Sequence, residues 1–240
     1  MKKELRDEIK QDEFASGLEE MIAWVAAHRD EVRIGAGVAI VLLAAAGAVY
    51  YFQGQRAREA DGAFREALTA YEAPVASELA PGADRPSGQV FATAEEKYKT
   101  AAAAFEGVDR RFGTSKVGAR ARLYAALSRL ELGQYAEAEK ALKAIAQGAG
   151  LEPELARLAL ADVYRRSGQV DKAVEAYRGL ATNPSATMPR DFALLSAAQT
   201  LEDAKRWADA RAAYRQVAED FPASVYAQEA RARVEYLKSL

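Results

Sequence analysis

The chain has 240 residues, with 33 Lys and Arg against 35 Asp and Glu, and a formal net charge of −2. That balance gives no basic field for nucleic acid. With no cysteine, disulfides and thiol chemistry are excluded as well. The one histidine, His28, leaves neither a zinc cluster nor a Ser–His–Asp arrangement for the rest of the chain.

Residues 1–33 begin with a dense run of charge, Lys2, Lys3, Glu4, Arg6, Asp7, Glu8 and Lys10. An apolar stripe then recurs at Phe14, Leu18, Met21, Ile22 and Val25, with Trp24 beside it. The spacing fits one face of a helix, read as a short amphipathic helix lying on a membrane surface; the alternatives are a helix packed on a partner or one that forms only transiently.

Residues 34–52 form a run of 19 without a charge, bracketed by Arg33 and Arg56. As a helix this run covers roughly 28 Å, close to the roughly 30 Å of a bilayer's hydrocarbon core. Tyr50, Tyr51 and Phe52 lie together at one end, and tyrosine rings favour the headgroup level. The expectation is a transmembrane helix over 34–53 with lipid as its surroundings. Thirty-three residues that open on a dense run of charge come first and no small-residue cleavage site follows, so the segment reads as an uncleaved anchor. Arg29 and Arg33 on one side and Arg56, Arg58 and Arg65 on the other do not decide its orientation.

Residues 54–240 are rich in alanine and poor in Val, Ile and Thr runs, so helix is expected almost throughout. A helix is predicted over 56–73, with apolar or small positions at Ala60, Ala63, Phe64, Ala67, Leu68 and Tyr71. Pro74, Pro81, Gly82, Pro86 and Gly88 then predict an irregular insertion over 74–91. Helical pattern resumes near Thr93.

From there the chain repeats itself. Gly133-Gln-Tyr135-Ala-Glu-Ala138, Gly168-Gln-Val170-Asp-Lys-Ala173 and Lys205-Arg-Trp207-Ala-Asp-Ala210 begin 35 and 37 residues apart. A period near 34 with small residues at helix crossings marks a helix-turn-helix solenoid. The pattern resembles the tetratricopeptide repeat. Ala126, Ala161 and Ala198 match the small residue of the first helix, and Ala138, Ala173 and Ala210 that of the second. Tyr98, Ala101, Phe105 and Val108 match the second helix of a degenerate earlier unit. The fold class expected is all-α: one N-terminal transmembrane helix, three to four helix pairs, and a capping helix over 223–240. No Trp opens a repeat, and the third lacks the turn glycine.

The resemblance also implies a binding face, because the first helix of each such unit lines the concave surface. It maps Arg120, Leu123, Leu127 and Leu130 there from the first unit. Leu155, Leu158, Asp162, Arg165 and Arg166 follow from the second, and Phe192, Leu195, Gln199 and Glu202 from the third. Apolar residues beside arginine and acid are what a peptide or helix groove uses. The alternative is that the leucines and Phe192 are inter-repeat core and the charges are solvated.

The whole layout resembles the YfgM-like ancillary subunits of the SecYEG translocon. That resemblance implies a bacterial inner-membrane protein with its N-terminus in the cytoplasm and its repeats in the periplasm, in contact with translocon-linked chaperones. The function expected is a membrane-tethered scaffold binding proteins or peptides, with no catalysis, cofactor, metal or small-molecule substrate. The other reading is a repeat protein coordinating envelope assembly, cell division or cell-wall synthesis.

Overall fold

The computed structural model describes residues 17, 21–79, 88–182 and 189–239. Phe14 and Leu18 of the predicted stripe lie outside them, as do Pro81, Gly82 and Pro86 of the insertion. The described residues are nearly all helical, and the chain divides into two units, Met1–Arg58 and Glu59–Leu240.

Residues 21–27 of the first unit are helical, and the Trp24 and His28 rings stack at 4.8 Å. Met21, Ile22 and Trp24 are each more than half exposed. Helix α1 spans Arg29–Glu72. The sequence suggests a span and a separate helix over 56–73, but Gln53-Gly54-Gln55 does not interrupt the ladder, and one helix covers both. A lone glycine costs only about 1 kcal/mol in a helix interior, too little to break a helix with alanine-rich turns on either side. Residues 33–59 are all exposed, and α1 is long and apolar enough to cross a membrane.

The second unit begins with the last turns of α1, whose Ala60, Phe64, Ala67 and Ala70 are buried. Phe64 meets Phe105 of α2 (Ala94–Phe112) at 5.4 Å and Tyr124 of α3 (Lys116–Glu131) at 5.5 Å, ring to ring. Tyr71 adds edge contacts to Tyr98 at 5.7 Å and Tyr124 at 5.4 Å. Tilted and edge-on pairs of this kind contribute about 0.5–1.5 kcal/mol each beyond their burial.

The insertion is closed at its base. Phe91 N–H donates to the Pro74 carbonyl at 3.1 Å and Ala76 N–H to the Phe91 carbonyl at 2.8 Å. Thr93 then caps α2, its hydroxyl accepting from Glu96 N–H at 3.1 Å. Ser115 caps α3 in the same way from Gly118 N–H, also at 3.1 Å. A Cβ on Gly118 would stand 2.2 Å from the Phe112 carbonyl oxygen, so only glycine allows the α2–α3 turn to close this tightly.

Three helix pairs follow: α3 with α4 (Tyr135–Ala146), α5 (Leu151–Arg166) with α6 (Val170–Thr182), and α7 (Arg190–Asp203) with α8 (Trp207–Asp220). Ala126, Ala138, Ala161, Ala173, Ala198 and Ala210 are all 0–1% exposed; their small side chains let the paired backbones approach. Each pair turns through the same helix-ending motif. Gln134, Gln169 and Arg206 donate backbone N–H bonds to the carbonyls five residues back, Arg129, Tyr164 and Leu201, at 2.8–2.9 Å. The residue before each is left-handed: Gly133 at φ 71°, Gly168 at φ 76° and Lys205 at φ 58°. Helix α9 (Ala227–Tyr236) closes the array with Ala227, Ala230 and Val234 inward. It occupies the middle of the predicted 223–240 cap, because Tyr226 and Leu237 bound it.

Candidate functional site

The first helices of the three pairs, α3, α5 and α7, line a groove of about 510 Å³. Three- and four-residue steps put its lining on one face of each helix. From α3 come Leu123, Leu127, Leu130 and Glu131; from α5 Leu155, Leu158, Asp162 and Arg165; from α7 Phe192, Ser196, Gln199 and Asp203. Leu123 and Leu130 are buried at 1% and 3% exposure and form the floor, while Leu155, at 37%, reaches solvent. Leu127, Leu158 and Phe192 are half-buried. The apolar side chains come mainly from the earlier turns of these helices, and the charged ones from their last turns.

Those last turns carry a ladder of alternating charge. The Arg166 guanidinium lies 3.1 Å from Glu131 and 3.8 Å from Asp162. Arg165 donates twice to Asp162, at 3.0 and 2.6 Å, and stands 3.9 Å from Asp203. Glu131, Arg166, Asp162, Arg165 and Asp203 thus run in order across the three helices. Burial disfavours the charge on both arginines, and their carboxylate partners more than offset it, so both are held above the usual arginine range. Tyr177 of α6 also lines the groove, and burial first, then the Asp162 charge, pushes its phenol up.

Nine of the thirteen candidate side chains therefore meet in one place: Leu123, Leu127, Leu130, Leu155, Leu158, Asp162, Arg165, Phe192 and Gln199. Four lie elsewhere. Arg120 pairs with Glu152 at 3.7 Å and covers the Phe64 ring at 5.7 Å. Leu195 is core, at 3% exposure. Glu202 accepts the Tyr214 hydroxyl at 2.6 Å and meets Arg233 at 3.3 Å. Arg166 belongs to the ladder but does not line the groove.

Sequence reading missed Tyr124, Glu131, Ala159, Tyr177, Ser196 and Asp203. Continuing the helical step by one turn reaches Glu131, Ser196 and Asp203. Tyr177 sits on a second helix, where nothing in the spacing points into the groove. Among the described residues no three His, Cys, Asp or Glu stand together as metal ligands. No buried side-chain nitrogen or oxygen among them lacks a partner. The arrangement suits holding a polypeptide.

A stack of helix pairs with small residues at the crossings and a groove on its first helices is a helical-repeat binding module. The chain belongs to the tetratricopeptide repeat-like domain family, whose model matches residues 23–186. A tetratricopeptide repeat model matches residues 192–224. Among solved structures the chain is similar to a Podosopora anserina kinesin light chain with nearly identical TPR-like repeats. Identity is 16% and the TM-score 0.43, over 60% of this chain and 86% of that one. A second crystal structure of the same repeats gives the same identity and score over 60% and 88%. No curated protein sequence matches the chain.

Proposed function

We propose that the protein is a membrane-anchored scaffold whose repeats hold segments of other proteins near the export machinery. Residues 34–53 cross the bilayer once, with the N-terminus in the cytoplasm and the repeats in the periplasm. The groove over α3, α5 and α7 is the binding site, and the partners are the SecYEG translocon and periplasmic chaperones. What carries the reading of a scaffold is the groove itself: leucines and Phe192 open to solvent beside a fixed line of charge. The exposed, uncharged middle of α1 supports the anchor. The resemblance in layout to YfgM-like subunits supports the orientation and the partners. A groove this size gives modest affinity, and tethering offsets that by raising the local concentration of the binder.

The test has two parts. Alkaline carbonate should leave the intact chain in the membrane, and reporters at the two ends should lie on opposite sides. Photocrosslinkers at Leu158 and Phe192 should then capture SecYEG or periplasmic chaperones. Capture of cell-wall or outer-membrane assembly factors would replace the translocon reading, and release by carbonate would remove the anchor.

A further inference from the structure

The groove's charges are unevenly available. Of the five in its ladder three are acids, and an acid stands at each end, Glu131 on α3 and Asp203 on α7. Both arginines are spoken for. Arg165 is forked onto Asp162 and shared with Asp203, and Arg166 bridges Glu131 and Asp162. The Asp203 side chain is 69% exposed and meets Arg165 only across 3.9 Å. The nearby arginines of other elements are engaged too, Arg120 with Glu152 and Arg233 with Glu202.

We infer that the occupant of this groove is a short polypeptide segment pairing leucine-like or aromatic side chains with lysine or arginine. This rests on the groove being the binding site proposed above. A carboxylate entering the groove has to strip an arginine of its acid or face Asp203, which Arg165 meets only across 3.9 Å; either cost counts against it. An ammonium or guanidinium meets Asp203 at no such cost and balances the ladder's surplus acid. Its apolar neighbours then cover Leu127, Leu158 and Phe192, which the fold leaves half-buried. The cross-section of the groove is thus amphipathic, and its occupant is the complement.

The experiment uses the full chain in uncharged detergent micelles as bait for a library of displayed random 12-residue peptides. Selection is run in parallel on a Leu158→Asn, Phe192→Ser double variant, which blunts the apolar wall without adding charge; circular dichroism establishes that it folds. Peptides recovered by the native chain and lost on the variant are the groove's own. They are expected to be enriched in Lys and Arg together with Leu or Phe, and to bind more weakly in 0.5 M salt. Asp203→Asn, an exposed change that the fold tolerates, should weaken them roughly two- to fivefold. Groove-dependent peptides rich in Asp and Glu, or neutral ones indifferent to salt and to Asp203→Asn, would overturn the inference while leaving the groove as the site. Failure to recover any groove-dependent peptide would remove the site, and the inference with it.

Discussion

Arg166 on α5 reaches Glu131 on α3 across 3.1 Å, and the two are 35 residues apart in sequence. That separation is one repeat, so the bond ties a unit to its predecessor at the groove. Each side chain is about one-third exposed, at 27% and 35%, which places the pair between a solvated surface bridge and a buried one. A double-mutant cycle of Glu131→Gln with Arg166→Met should give a coupling of about 0.5–1 kcal/mol that shrinks with salt. Urea unfolding of the four proteins reads it. A coupling of zero would mean that the ladder shapes the groove without fastening the repeats.

The small residues at the helix crossings make a stronger demand. Ala138 has no exposed surface, while Ala136, two residues earlier on α4, points to solvent. Ala138→Leu should destabilise by about 1–3 kcal/mol, because the added methylenes push apart paired backbones. Ala136→Leu should stay within about 0.5 kcal/mol. Thermal unfolding of both variants separates the effect of the crossing from that of leucine in the helix.

The same contrast explains what could be read from the sequence. Six alanines spaced at the repeat period announce the crossings because nothing larger fits there. The leucines of the groove are legible as periodic positions, yet periodicity alone cannot tell groove from core. Leu195 falls on the same helix as Phe192 but turns inward. Glu202 carries a charge, as a groove residue might, but Tyr214 and Arg233 draw it to the neighbouring helices. Those partners lie 12 and 31 residues further on, beyond what a helical wheel of α7 can show. Tyr177 enters the groove from a second helix, so it belongs to the arrangement of pairs and not to any one pattern.

Alkaline pH should loosen the tyrosine-rich start of the repeats. Burial, with Tyr98 and Glu131 adding to it, pushes the Tyr71 phenol from 10.0 up to about 12. Burial likewise raises Tyr98 and Tyr177, and burial with the Glu202 hydrogen bond raises Tyr214. A phenol whose pKa is higher when folded keeps its full contribution below pH 10, where both states are neutral. The contribution declines as pH climbs from there to about 12, because the unfolded chain ionises first. The melting temperature should therefore be level from pH 7 to 9.5 and fall above 10. Tyr71→Phe, which keeps the ring contacts to Tyr98, Phe105 and Tyr124, should make the alkaline decline shallower. An equally steep decline in the variant would mean that Tyr71 ionises freely in the fold.

Lys205 stands in the third turn where Gly133 and Gly168 stand in the first two. All three are left-handed, and all three turns make the same pair of backbone hydrogen bonds. Glycine takes φ 71° or 76° without penalty, whereas a side chain at φ 58° brings its Cβ against the following carbonyl at a cost of about 1–2 kcal/mol. Glycine gives part of that back through the greater freedom of the unfolded chain. Lys205→Gly should accordingly stabilise the protein by about 0.5–1 kcal/mol, and Gly168→Lys should destabilise it by a similar or larger amount. The third pair is held by the cluster that includes Leu201, Ala210, Tyr214 and Val217, so the strain in its turn is borne by that burial. Hydrogen exchange at Arg206, whose amide closes the turn, should slow in Lys205→Gly. Unchanged exchange together with unchanged stability would show that lysine sits in this turn without strain.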